Sequence, residues 1–215
     1  GTGSAATVGH GLGVTPDMII FKNRSGANVW ATYHQSLGNN LKLELNGTGA
    51  QDADGAFMNG TLPTSSVFSV GASANTNTGS SNYVAYCFND VQGYSKFGKY
   101  IGNGSGTSDG TFNGTFVYTG FSPSFLMIKR SDGGVEDWNM FDNKRQTFNY
   151  NQKKLYANQS AAESGNVYDA VDFLSNGFKI RTGRGGTNTS GGTYIYMAFA
   201  ENPFTTSTGI PTTAR

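Results

Sequence analysis

Cysteine is almost absent. The chain has one, Cys87, so no disulfide can form within it. Small secreted scaffolds usually lean on disulfides, so this fold rests on packing or on assembly. Cys87 itself lies in an apolar run and reads as a small buried hydrophobe. Charge is scarce as well: charged residues make up 13% of the chain, where roughly 25% is usual. The net charge is +1 and neither half carries a sizeable field. That speaks against electrostatic capture of nucleic acid or an anionic membrane. No apolar run nears the roughly 20 residues of a membrane span, so no membrane insertion is expected. Histidine is limited to His10 and His34, too few and too scattered for a zinc site. No metal or other cofactor is expected.

Glycine, by contrast, is abundant at 31 residues, and aromatics reach 13%. A disordered chain shows few aromatics and many charges. The composition therefore describes a folded, turn-rich protein with a neutral surface of Ser, Thr, Asn and Gly. Lys153-Lys154 and the set Lys179, Arg181 and Arg184 are local basic spots, read as solvated surface.

The chain reads as two copies of one module. Gly11 to Ser25 with Trp30 to Tyr33 matches Gly120 to Ser131 with Trp138 to Phe141. Pro16 maps onto Pro123, Lys22 onto Lys129, Trp30 onto Trp138, Phe68 onto Phe178, and Tyr83–Phe88 onto Tyr194–Phe199. The spacing drifts by a few residues while the order holds, as loop insertions would cause. The boundaries expected are 1–98 for the first copy, 99–205 for the second and 206–215 for a C-terminal tail. The second copy is preceded by Lys99-Tyr-Ile-Gly-Asn-Gly-Ser105, and only its last part has a counterpart, Gly1–Ser4. The expectation is that strand residues belong ahead of Gly1 and that the chain is the C-terminal part of a longer protein.

The apolar runs Met18–Phe21, Val84–Phe88, Phe125–Ile128 and Ile195–Phe199 are short and rich in β-formers. They suggest strands buried on both faces. Leu41, Leu43 and Leu45 alternate, as do Phe116-Val117-Tyr118, which fits strands with one solvated face. Asn-Gly pairs at Asn46, Asn59, Asn103, Asn113 and Asn176 mark turns and loops. Lys153–Glu163 reads as a strand and then a loop, with at most a short helical turn near Ser160–Ser164. The fold class is all-β: two tandem homologous β-sandwich-like modules.

Catalytic chemistry finds little support. Gly106-Thr-Ser108-Asp-Gly110 has the outline of a nucleophile elbow, but loop precedes Ser108, a β-type run follows, and both histidines lie upstream. The carboxylate pairs Asp52/Asp54, Glu136/Asp137 and Asp169/Asp172 are the glycosidase candidates, and most sit among loop residues. Asp52-Ala-Asp54-Gly55 lacks the bidentate Glu of a calcium loop. No catalytic residue is assigned. Trp30 and Trp138 are the candidate glycan contacts, because aromatic faces stack on sugars. Their equivalence in the two copies also fits a core or edge role. Sequons stand at Asn23, Asn46, Asn59, Asn103, Asn113, Asn158 and Asn188, and matter only in a host that glycosylates.

Several motifs together carry a resemblance. They are His10-Gly-Leu-Gly-Val-Thr-Pro-Asp-Met-Ile19, Trp30-Ala-Thr-Tyr-His34, Tyr83-Val-Ala-Tyr-Cys-Phe88 and Gly93-Tyr-Ser-Lys-Phe-Gly-Lys-Tyr-Ile-Gly-Asn-Gly-Ser105. Further on come Asp172-Phe-Leu-Ser-Asn-Gly-Phe-Lys179 and Gly192-Thr-Tyr-Ile-Tyr-Met-Ala-Phe-Ala-Glu-Asn-Pro-Phe204. Across nearly the whole chain they resemble an uncharacterised C-terminal domain of tail-associated and tail fibre proteins of tailed bacteriophages, marine phages among them. The resemblance implies a virion protein in a tail fibre or tail tip, on the extracellular particle, making structural and host contacts, with surface polysaccharide as the candidate ligand. It also implies a homo-oligomer, a trimer foremost, and other virion proteins as partners. The alternative is a carbohydrate-binding module of a secreted bacterial protein, and a third reading is a surface-polysaccharide depolymerase.

Overall fold

The computed structural model describes residues 1–106, 111–165 and 170–210. The described residues are all-β, without an α-helix. They fall into two compact units, Gly1–Asn89 and Asp90–Arg215. No helix among them is long and apolar enough to cross a membrane.

The first unit runs β1 (Ala6–Gly9), β2 (Met18–Asn23), β3 (Trp30–His34), β4 (Leu41–Glu44), β5 (Asp52–Ala53), β6 (Val67–Val70) and β7 (Tyr83–Phe88). Its larger sheet has the order β5-β4-β3-β2-β7, and β1 pairs with β6 in a second, two-stranded sheet. Alternation sends Ile19 and Phe21 of β2, Ala31 and Tyr33 of β3, and Phe68 and Val70 of β6 into one core. Phe21 meets Phe57 and Phe68 edge-on, both at 5.3 Å between centroids. Met18 and Ile20, on the other face of β2, are buried too, as its unbroken apolar run requires.

The second unit runs β8 (Ser95–Ile101), β9 (Phe116–Tyr118), β10 (Pro123–Arg130), β11 (Asn139–Asp142), β12 (Lys153–Tyr156), β13 (Ser164–Gly165), β14 (Val171–Leu174), β15 (Gly177–Ile180) and β16 (Thr193–Ala200). The larger sheet has the order β13-β12-β11-β10-β16-β8, and β14-β15-β9 forms the smaller one. Val117, Leu126, Ile128, Phe141, Phe178 and Ile180 fill the core between them.

Each sheet draws its strands from one unit. The strand order β5-β4-β3-β2-β7 recurs as β13-β12-β11-β10-β16, and the pair β1-β6 as β9-β15. Side-chain bonds recur with it. The Trp30 N–H donates to Asn46 Oδ1 at 2.8 Å, and the Trp138 N–H to Asn158 Oδ1 at 2.9 Å. The Tyr83 hydroxyl donates to Ala74 O at 2.9 Å, and that of Tyr194 to Gly185 O at 2.6 Å.

Two details differ from the sequence reading. The division at Asn89/Asp90 gives the whole of β8 to the second unit, where the expected boundary at 98/99 cuts through it. The helical turn near Ser160–Ser164 is absent: Ser164 and Gly165 pair with Lys154 and Lys153 as an edge strand. Ladder bonds to β12 satisfy that backbone more fully than an isolated turn would. The tail residues 211–215 lie outside the described residues.

Candidate functional site

Strand β9 is short and alternates. Val117 points into the core, while Phe116 and Tyr118 point out, 46% and 66% exposed. Tyr118 pairs with Gly177 of β15. A Cβ at Gly177 would stand 2.1 Å from Val117 O, so glycine is required there, and it leaves the tyrosine ring without a cross-strand side chain over it. Beyond Tyr118 the chain turns through Gly120, whose φ of +85° favours glycine.

Facing Tyr118 is a tight turn. Val91 and Ser95 exchange backbone bonds of 3.1 and 2.9 Å across it. Asp90 anchors its base: one carboxylate oxygen accepts the Phe97 N–H at 2.7 Å and the other pairs with Lys96. Between turn and strand lies a groove of about 410 Å³, lined by Asp90, Gln92, Ser95, Lys96, Tyr118 and Thr119. An exposed ring beside an amide, a hydroxyl and an ion pair is suited to a ligand with one apolar face and a polar rim.

A second cleft of about 280 Å³ is lined by Glu136, Asp137, Asn139, Lys154, Tyr156 and Arg184, with two glycines. Asn139 and Tyr156 face each other across β11 and β12. Asp137 Oδ1 accepts from Asn158 Nδ2 at 2.7 Å and from Gln159 Nε2 at 2.5 Å. The Lys154 ammonium lies 4.7 Å over the Tyr156 ring and 3.4 Å from Asn139 Oδ1. Lys154 is thus buried at 4% exposure, not solvated as its basic neighbourhood suggested; strand alternation turns it inward while Lys153 points out.

Nearby, Lys129 is fully buried and its Nζ donates to Glu136 O at 2.6 Å. Burial pushes its pKa down to about 8, against the opposing pull of Glu136 and Asp137. The folded state therefore gives up this proton at a lower pH than the unfolded chain, whose lysine titrates near 10.5. Between about pH 8 and 10.5 the unfolded state binds more protons, so this group makes stability rise with pH there, and the burial penalty is full below about pH 8. Urea denaturation at pH 7.5 and 9.5 should show the wild type gaining on Lys129→Met across that interval. A constant difference would refute the buried ammonium.

The tryptophans divide. Trp138 is 1% exposed, so its ring offers no face to a glycan; its chain neighbours Glu136, Asp137 and Asn139 line the second cleft. Trp30 is half-buried, stacked at 15° on Tyr86 with centroids 6.5 Å apart, and the Lys22 ammonium lies 5.7 Å from its centre. His10 accepts the Leu12 N–H at Nδ1 and contacts Thr64 O through Nε2 at 3.1 Å. His34 is buried, and its Nδ1 accepts the Ser36 N–H. Cys87 is half-buried against the first core, which pushes its thiol pKa up.

Asp52 pairs with Lys42 at 3.0 Å, Asp54 accepts from Ser73 Oγ at 2.7 Å, and Asp172 holds Arg181, with Nε at 2.6 Å. Asp169 and Ser108 lie outside the described residues. Sequence reasoning missed Tyr118, Gln92 and Lys96 as a group. The available signal was an aromatic on the solvent side of an alternating strand.

A family model described as Domain of unknown function (DUF7483) matches residues 1–203. The chain belongs to this family. No curated protein and no solved structure matches it.

Proposed function

We propose that this DUF7483 chain is a non-catalytic structural and host-contact module of a phage tail appendage, and that it meets surface glycans through the Tyr118 groove. The observation carrying the glycan reading is the exposed Tyr118 ring, bare on its Gly177 side and facing Gln92 and the Asp90–Lys96 pair. Pyranose rings offer an apolar C–H face and a polar edge, which is the complement of that surface. The placement on a virion, the homotrimer and the virion partners rest on the resemblance of the motifs.

The non-catalytic reading is supported by the carboxylates themselves. Asp52, Asp54, Asp137 and Asp172 each hold a neighbouring side chain within their own unit, which leaves them poorly placed to trade protons with a substrate.

Tyr118→Ala should weaken binding of a surface polysaccharide by about tenfold, the equivalent of one lost ring contact. Tyr118→Phe should keep most of the affinity. Titration calorimetry of the three proteins tests this. Equal affinities would remove Tyr118 from the site, and release of reducing sugar would make the chain an enzyme.

A further inference from the structure

The two units differ at one sheet edge. In the second unit β16 is flanked by β10 and β8, and β8 pairs with it along its length, from Thr193↔Ile101 to Phe199↔Ser95. Tyr100 of β8 is thereby carried into the core. Its ring stacks on Tyr194 at 5.0 Å, meets Phe178 edge-on at 6.0 Å, and its hydroxyl donates to Thr187 O at 2.6 Å.

In the first unit the sheet ends at β7, the counterpart of β16. β7 is only half-buried where β16 is mostly buried. Beside it lies a cavity of about 440 Å³ whose walls include Phe21, Phe68, Val70, Tyr83 and Ala85. Tyr83 and Phe68 are the counterparts of Tyr194 and Phe178, the two rings that Tyr100 touches. The cavity is open for two reasons: among the described residues β7 pairs with β2 alone, and Ala85 stands where β16 has the bulky Tyr196.

The entry to the cavity is also repeated. The Gly102 N–H that follows β8 donates to Gly192 O at 2.8 Å, and Gly191 N–H donates to Gly102 O at 2.9 Å. In the first unit the Gly1 amine bonds Ser81 O, and Ser80 N–H donates to Gly1 O at 3.0 Å. Gly1 therefore makes beside β7 the pair of bonds that Gly102 makes beside β16.

We propose that the outer edge of β7 and this cavity form a strand-acceptor site. Its occupant is an extended peptide of the β8 pattern, antiparallel to β7, with a tyrosine seated against Tyr83 and Phe68. Backbone bonds to an exposed edge give such pairing its affinity, and the pocket for one side chain gives it register.

The test is made on the whole chain. The sequence of Phe97–Ile101 is placed directly ahead of Gly1, and a second arm carries serine in place of the tyrosine. The tyrosine arm should melt about 5 °C above the serine arm and should slow hydrogen exchange at the β7 amides that point away from β2. Arms that melt together, with β7 exchange unchanged, would overturn the proposal. A chain that instead dimerises through β7, with a dimer the tyrosine arm does not dissolve, would give the edge to a second copy and overturn it equally.

Discussion

Phe178→Ala should cost the protein about 3–5 kcal/mol, the range for deleting a buried aromatic ring. Phe178 is fully buried at the centre of the second core. It meets Tyr196 edge-on at 5.3 Å and Tyr100 at 6.0 Å, so the substitution removes two favourable ring pairs as well as its own buried area. The surrounding Ile128, Val171 and Ile180 sit on two facing sheets whose ladders hold them apart, which limits collapse into the void. A native domain has only about 5–15 kcal/mol to lose. Urea denaturation followed by hydrogen exchange should show the loss in peptides from β14, β15 and β16. A cost under about 1 kcal/mol, the size of a surface substitution, would mean that the core is not packed as described.

The second large effect is expected at Asn188. Its side chain is fully buried and makes four hydrogen bonds. Oδ1 accepts from the Asn103 N–H and from Thr115 Oγ1, both at 3.1 Å, while Nδ2 donates to Asn103 Oδ1 and Ser105 O, both at 2.8 Å. Asn188→Ala takes all four bonds from a buried position whose partners Ser105 and Thr115 are half-buried, and should cost about 2–4 kcal/mol. Asn77 holds the equivalent place in the first unit: its Oδ1 accepts the Thr2 N–H at 2.7 Å, and its Nδ2 donates to Thr2 Oγ1 at 3.1 Å and to Ser4 O. Thr2 and Ser4 are exposed, so water can replace what is lost, and Asn77→Ala should cost less than Asn188→Ala. Thermal melts of both variants check the order, and the reverse order would contradict the account.

These residues show how far the sequence could be read. The strands were legible because their apolar runs are short and β-rich; Phe68 and Phe178 each stand second in β6 and β15, whereas Trp30 opens β3 and Trp138 lies just ahead of β11. Asn188 was visible only as a sequon. Its partner Asn103 is 85 residues away, and nothing local marks a side chain that ties two distant loops together. β14 was not singled out as a strand, because the first copy offers no parallel. Its corresponding stretch is Thr61-Leu-Pro-Thr64, and Pro63 has no N–H for a ladder.

The candidate site was half legible. Tryptophan drew attention to Trp30 and Trp138 as the stacking candidates, but their rings are engaged or buried. The alternation of Phe116-Val117-Tyr118 was read as a strand with one solvated face. What that face could bind depended on Gly177 opposite Tyr118 and on the turn at Asp90–Ser95, both distant in the chain.

The central claim, a glycan contact built on the second unit, is tested most directly by mapping amide chemical-shift changes on the whole chain as a purified surface oligosaccharide is added. The account predicts saturable shifts gathered at Gln92, Lys96, Tyr118 and Thr119, and their disappearance in Tyr118→Ala. Shifts gathered instead around Glu136, Asp137 and Arg184, or conversion of the oligosaccharide during the titration, would contradict it.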